Sequence, residues 1–223
     1  MLAGSPAVRC KRLLRFVVGL DLLAAAPKLP LFICQPPQTM TAQLILVPQI
    51  STLLAHEQKA QAMLRWLAKR EIVEALPTTC GQGGNGMAYA IGSGARRVAQ
   101  RPELLPYGQP HNGLEIITNR CIYVPTRGFL EEAGCAECRR EVGVPLFDSL
   151  EVWWPGETDN FTCPECGHED DINGFLFLQP CGFSNLGFIF NGWADAGLRP
   201  AFVEEFGERL GFAVRQVRVD DPA

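Results

Sequence analysis

The chain has 223 residues, 47% hydrophobic and 20% charged, the composition of one ordinary globular domain able to bury a core, with a subdomain at most. No apolar run reaches the length of a transmembrane helix, and nine Cys, four of them with metal-type spacing, fit a reducing, cytoplasmic setting better than a disulfide scaffold. The formal net charge of −4 hides an uneven spread: residues 1–39 carry five Lys/Arg against Asp21, and the rest carries 15 basic against 23 acidic residues, a net of −8.

In residues 1–39, Arg9, Lys11, Arg12 and Arg15 precede FVVGLDLLAAAP, which has the outline of a secretory signal. Asp21 cuts the apolar run short, and export would expose the metal-type thiols to oxidation. These residues therefore read as a leader outside the fold, disordered or not translated, with a signal as the alternative. Residues 40–223 then form one α+β domain, opened at Met40 by the strand TAQLILVPQ. Ser51 or Thr52 caps a helix running to about Arg70, whose Ala60, Met63, Leu64 and Leu67 fall on one apolar stripe. Glu71 to Leu76 extends that helix until Pro77 stops it.

Residues 77–111 read as a long irregular loop, which in a compact domain usually carries function or motion. Cys80 stands beside Gly83 and Gly84, and Gly94 precedes Arg96 and Arg97. Backbone N–H groups and guanidinium could there meet an anion or small ligand. Cys80 as a nucleophile has no recognisable His or Asn partner, and bare glycine-richness is also what an ordinary loop shows.

GLEIITNRCIYV (113–124) reads as one strand. An inserted module follows at about 129–172, built on CAEC (Cys135, Cys138), 24 further residues and CPEC (Cys163, Cys166). A two-residue gap turns the chain so that both sulfurs address one ion, and two such turns complete the tetrahedron of a structural Zn²⁺. Gly134 and Gly167 beside the turns offer the positive φ that such turns need. The alternative is a pair of redox CxxC motifs or a disulfide. His168 could replace one thiol or support the site, although the four-cysteine set is complete without it. Residues 129–171 hold twelve acidic residues against Arg139 and Arg140, a net of −10 that repels phosphate backbones and attracts basic partners. Trp153 and Trp154 read as a hydrophobic lid over a ribbon that lacks its own core.

GFLFL (174–178) and NLGFIFNGW (185–193) read as buried strands. A helix then opens at Pro200 with Phe202, Val203, Phe206 and Leu210 on one face and Gly211 at its stop. FAVRQVRV (212–219) closes the domain as an edge strand. This order predicts a ferredoxin-like split βαβ plait with the four-cysteine ribbon inserted at its middle hairpin.

Through CAECRREVG, FTCPECGHEDDINGFLFLQPC and SNLGFIFNGW, residues from Met40 to about Val219 resemble a set of uncharacterised bacterial proteins sometimes labelled sugar ABC transporter ATPase. The CPECG turn is also similar to those of zinc ribbons at large. The ATPase label implies a phosphate-binding loop with Gly-Lys-Ser/Thr. None of Lys11, Lys28, Lys59 and Lys69 follows Gly or precedes Ser/Thr, so the chain carries no Walker A motif.

The expected function is a non-enzymatic interaction protein: one structural Zn²⁺ displays an acidic ribbon to a basic protein partner, as an adaptor, regulator or inhibitor. An enzyme or small-ligand binder using the 77–111 loop is the alternative, and a nucleic-acid-binding ribbon ranks below it because this one presents carboxylates, not Lys/Arg.

Overall fold

The computed structural model describes residues 42–82, 86–125 and 131–219, so the expected leader, Gly83 and Gly84 lie outside the described residues. The chain runs through β1 (Gln43–Pro48), α1 (His56–Lys69), β2 (Val73–Thr78), β3 (Ala88–Ile91), β4 (Leu114–Ile117), β5 (Cys121–Tyr123) and β6 (Ala133–Gly134). It continues through α2 (Gly143–Asp148), α3 (Leu150–Trp153), β7 (Asn160–Thr162), β8 (Glu169–Asp171) and β9 (Leu176–Phe177). The closing elements are β10 (Gly182–Ser184), β11 (Gly187–Asn191), α4 (Pro200–Leu210) and β12 (Val214–Val219).

Six strands form an antiparallel sheet in the order β12-β1-β11-β4-β3-β2. Strand β1 is apolar from Leu44 to Pro48 and buried along its whole length, the pattern of a strand covered twice; its one polar residue, Gln43, donates to Asn191 Oδ1 at 2.7 Å. Its Leu44 and Leu46 join Phe188, Phe190, Met63, Leu67, Phe202 and Phe206 under α1 and α4. Its Ile45 and Val47 meet Cys121, Tyr123, Val217 and Val219 on the opposite face. That face is covered by the separate two-stranded pair β5–β10. The outer side of β5–β10, through Ile122 and Phe183, belongs to a second core with Leu146, Trp153, Phe161 and Phe175. The molecule is therefore layered: helices, six-stranded sheet, β5–β10, cysteine lobe.

The fold is thus α+β with an antiparallel sheet, as the sequence implies, but several elements fall elsewhere. Helix α1 begins at His56, because Ser51 and Thr52 are drawn into the cysteine lobe instead of capping it. Residues 71–76 do not extend the helix. Glu71 takes φ 55, Ile72 and Val73 turn into the core, and β2 follows. Pro77 lies within β2, where the outermost position in the sheet leaves its missing N–H without consequence. The 77–111 stretch holds β3 and 3₁₀ turns at Ser93–Arg97 and Pro102–Leu104. Residues 113–124 form two strands in two layers, parted where the Arg120 guanidinium reaches Trp153 O at 2.7 Å and pairs with Asp159. Within GFLFL, Leu176 and Phe177 pair with β6 and Leu178 N–H donates to Glu132 O at 3.2 Å, while the Leu176 and Leu178 side chains are exposed. The helix at 200–210 and the edge strand β12 stand where the sequence puts them, with Gly211 at φ 86 closing α4.

Candidate metal centre

The two CxxC turns are built alike. After β6 the Cys135 N–H donates to Arg140 O at 2.9 Å, and Arg139 N–H donates back to Cys135 O at 3.1 Å. At the tip of the β7–β8 hairpin, Cys163 N–H donates to His168 O at 2.8 Å and Gly167 N–H to Cys163 O at 2.9 Å. The fifth residue of each turn takes positive φ: Arg139 at 62 and Gly167 at 75. Gly134 does not take that role. It lies in β6, and Arg139 holds the left-handed position of the first turn.

The turns bring Cys135, Cys138, Cys163 and Cys166 together with all four Sγ atoms within 4.8 Å of one another. Sγ–Sγ separations of 3.8 Å join Cys135 to Cys166 and Cys138 to Cys163. A tetrahedron with Zn–S bonds of about 2.3 Å has an edge of about 3.8 Å, so the sulfur spacing fits such an ion, whereas a disulfide needs about 2.05 Å. Four thiols fill the tetrahedron and leave no coordination position for water. These residues could hold one metal ion, and the chemistry of the set suits a structural ion over a reactive one.

The lobe supports its thiols unequally. Cys135 and Cys163 are buried in the lobe core and Cys166 is exposed. Burial raises the Cys135 thiol, but N–H groups of Cys138 and Glu137 aimed at its sulfur outweigh that and bring it down to about 7. The N–H of His168 lowers the Cys166 thiol, while desolvation and the three neighbouring thiols together push it up to about 12. His168 contributes backbone only to this arrangement, and its ring lies 6.0 Å from that of Phe175. Arg140 and Glu165, 3.5 Å apart, link the two turns across the surface.

The 24 residues between the turns hold α2 and α3, which the sequence reading missed. They carry Leu146, Phe147, Leu150 and Trp153 into the lobe core, so Trp153 is core and Trp154 its partly buried neighbour. Also missed was the polar junction that fixes the lobe to β1. Asp171 accepts from Ser51 N–H (2.8 Å), Ser51 hydroxyl (3.1 Å), Asn173 N–H (2.8 Å) and the Asn173 amide (2.8 Å). Trp153 Nε1 donates to the Ser51 hydroxyl at 2.9 Å, and Asn173 exchanges two bonds with the Phe183 backbone. Asp171 ends an acidic run and reads locally as solvated; its partner Ser51 is 120 residues away, and no short-range pattern marks the pair.

The residues proposed for an anion or ligand site are divided between the two ends of β3. At one end buried Cys80 accepts from the Thr78 hydroxyl at 3.1 Å and contacts Ala88 O at 3.5 Å. At the other, the Gly94 N–H is already bonded to Glu71 O at 2.7 Å. Arg97 donates to Arg70 O, and Arg96 lies over the Tyr107 ring at 5.1 Å. Among the described residues no helix is long and apolar enough to cross a membrane. Comparison of the chain with protein-family models, with curated proteins and with solved structures finds no match.

Proposed function

We propose that the chain is a zinc-binding interaction protein, in which a tetrathiolate Zn²⁺ at Cys135, Cys138, Cys163 and Cys166 pins an acidic lobe that docks on a basic protein partner. The supporting observation is the fate of the twelve carboxylates between 129 and 171: ten are exposed, and only Asp159 and Asp171 are drawn into the protein. A filled thiolate shell argues for scaffolding over catalysis. The strand order β12-β1-β11-β4, with α1 and α4 as crossovers, supports reading the main unit as a ferredoxin-like plait widened by β2 and β3. On that reading the leader at 1–39 adds nothing to the folded unit, and the protein acts in the cytoplasm, where thiolates stay reduced.

The test is association kinetics of the zinc-loaded chain with a basic partner captured on it. Glu132→Lys, Glu137→Lys and Glu169→Lys together should slow association by about tenfold or more and remove its salt dependence. Zinc content should stay at one ion per chain. A rate indifferent to both salt and charge reversal refutes the acidic lobe as docking surface.

A further inference from the structure

On the outer side of the helical layer, α1 and α4 enclose a groove of about 420 Å³ lined by Lys59, Ala62, Arg65, Trp66, Lys69 and Arg209, with no carboxylate in its walls. Its floor is built, not incidental. Trp66 stacks on Phe202 with ring centroids 5.7 Å apart and planes 8° from parallel. The guanidinium groups of Arg70 and Arg209 lie over the same indole at 5.0 and 5.3 Å. Lys59 Nζ is tied to Leu210 O at 2.8 Å. Arg70 pairs with Glu205 at 2.6 Å, whereas Arg65, Lys69 and Arg209 make no ion pair among the described residues. Cations held against an aromatic surface lose little freedom when an anionic partner arrives.

We propose that this groove receives the acidic cysteine lobe of a second copy of the chain, so that the basic partner called for above is the protein itself. This rests on the reading of the lobe as a docking surface. The layering gives the reason. The groove belongs to the helical side of the six-stranded sheet, and the lobe is attached beyond β5–β10 on the other side. One copy therefore cannot fold its lobe into its own groove. Each molecule carries a cationic groove and an anionic lobe on opposite sides of the sheet, and like molecules pair head to tail. A nucleic acid fits less well, because the lobe carries ten exposed carboxylates on the same chain and repels phosphates. The tip of the β7–β8 hairpin presents exposed Glu165 and Glu169 to such a groove.

The experiment is sedimentation of the full zinc-loaded chain over a concentration series at ~0.1 M and ~1 M salt, where the screening length falls from about 10 to about 3 Å. The mass should rise with concentration at the lower salt, and the association constant should fall about tenfold or more at the higher. A groove variant (Arg65→Glu with Lys69→Glu) and a lobe variant (Glu137→Lys, Glu165→Lys and Glu169→Lys) should each stay monomeric alone. Mixing the two should restore association, since the reversed groove now fits the reversed lobe. Retained zinc and unchanged circular dichroism show that both variants fold. A wild-type chain that stays monomeric at both salts, or a lobe variant that self-associates as well as the wild-type chain does, overturns the proposal. A monomeric chain whose groove binds polyglutamate or single-stranded DNA overturns it too. If the chain is monomeric yet its lobe still binds another basic protein, the self-association falls and the docking function stands; if lobe reversal alters neither, both fall.

Discussion

Arg139 holds at φ 62 the place that Gly167 holds at φ 75 in the sister turn, and the two turns otherwise share their backbone hydrogen bonds. A side chain in the left-handed region costs energy that glycine does not. Arg139→Gly should therefore stabilise the zinc-loaded protein by about 0.5–1 kcal/mol, read as a rise in denaturant midpoint at fixed zinc. A fall in midpoint would mean that the Arg139 side chain contributes more than its backbone costs. Cys181 offers a second test. Burial pushes its thiol up to about 12 against the opposing charge of Arg215, from an ordinary value of 9.0. The unfolded chain thus ionises first, and the stability that Cys181 contributes is complete below about pH 9 and is lost as pH rises toward about 12. Cys181→Ala should lower stability near pH 8 through the small cavity it leaves, yet flatten the decline between pH 9 and 11 in urea titrations. A parallel decline in both proteins would assign the alkaline loss to other groups.

At the level of elements, legibility tracked how local the cause is. The stripe Ala60, Met63, Leu64 and Leu67 and the pair Pro200 and Gly211 are decided within a few residues, and α1 and α4 follow them. The start of α1, the turn from helix into β2 and the break between β4 and β5 depend on remote partners. Ser51 is claimed by Asp171, Ile72 and Val73 by the core, and Arg120 by Trp153 and Asp159. Spacing alone found the four thiols, because two CxxC turns are local structures; it could not show that α2 and α3 fill the interval and supply the lobe's core. The same contrast separates two neighbouring carboxylates that look alike in sequence. Asp171 accepts four hydrogen bonds at the junction, two of them from Ser51, and exposed Glu169 accepts one from the Asn160 amide at 3.0 Å. Asp171→Ala should cost about 2–4 kcal/mol in chemical denaturation, since buried donors lose a charged acceptor. Glu169→Ala should change stability by about 0.5 kcal/mol or less. Equal effects would show that the junction is not what fixes the lobe.

The whole molecule poses the question of how far the metal's influence reaches. Cys135 and Cys163 belong to the same core as Phe161, Phe175 and Trp153, so an ion bound by the four thiols would hold that core together from one edge. Binding by four thiolates contributes on the order of 10–16 kcal/mol in small peptides, more than a lobe with so few regular elements can replace by packing. The six-stranded sheet has an independent core under α1 and α4 that contains none of the four cysteines. Between the two lies β5–β10, which faces the sheet through Cys121 and Tyr123 and the lobe through Ile122 and Phe183. Removing zinc with a chelator under reducing conditions should therefore melt the lobe, loosen β5–β10 on its outer side and leave the sheet folded. Hydrogen exchange is the measurement. Amides of 133–177 should lose protection first, those of 121–123 and 182–184 in part, and those of 43–48, 187–191 and 214–219 should keep it. Cys163→Ser should reproduce the chelated pattern without chelator, with zinc content falling from one ion per chain to none. Loss of protection in β1 and β11 together with the lobe would show a single cooperative unit, with the Ser51–Asp171 junction transmitting the collapse. Unchanged protection at 133–177 in metal-free protein would show that aromatic packing among Phe161, Phe175, Trp153 and Phe183 suffices, and would reduce the four cysteines to an ornament on a lobe that folds without them.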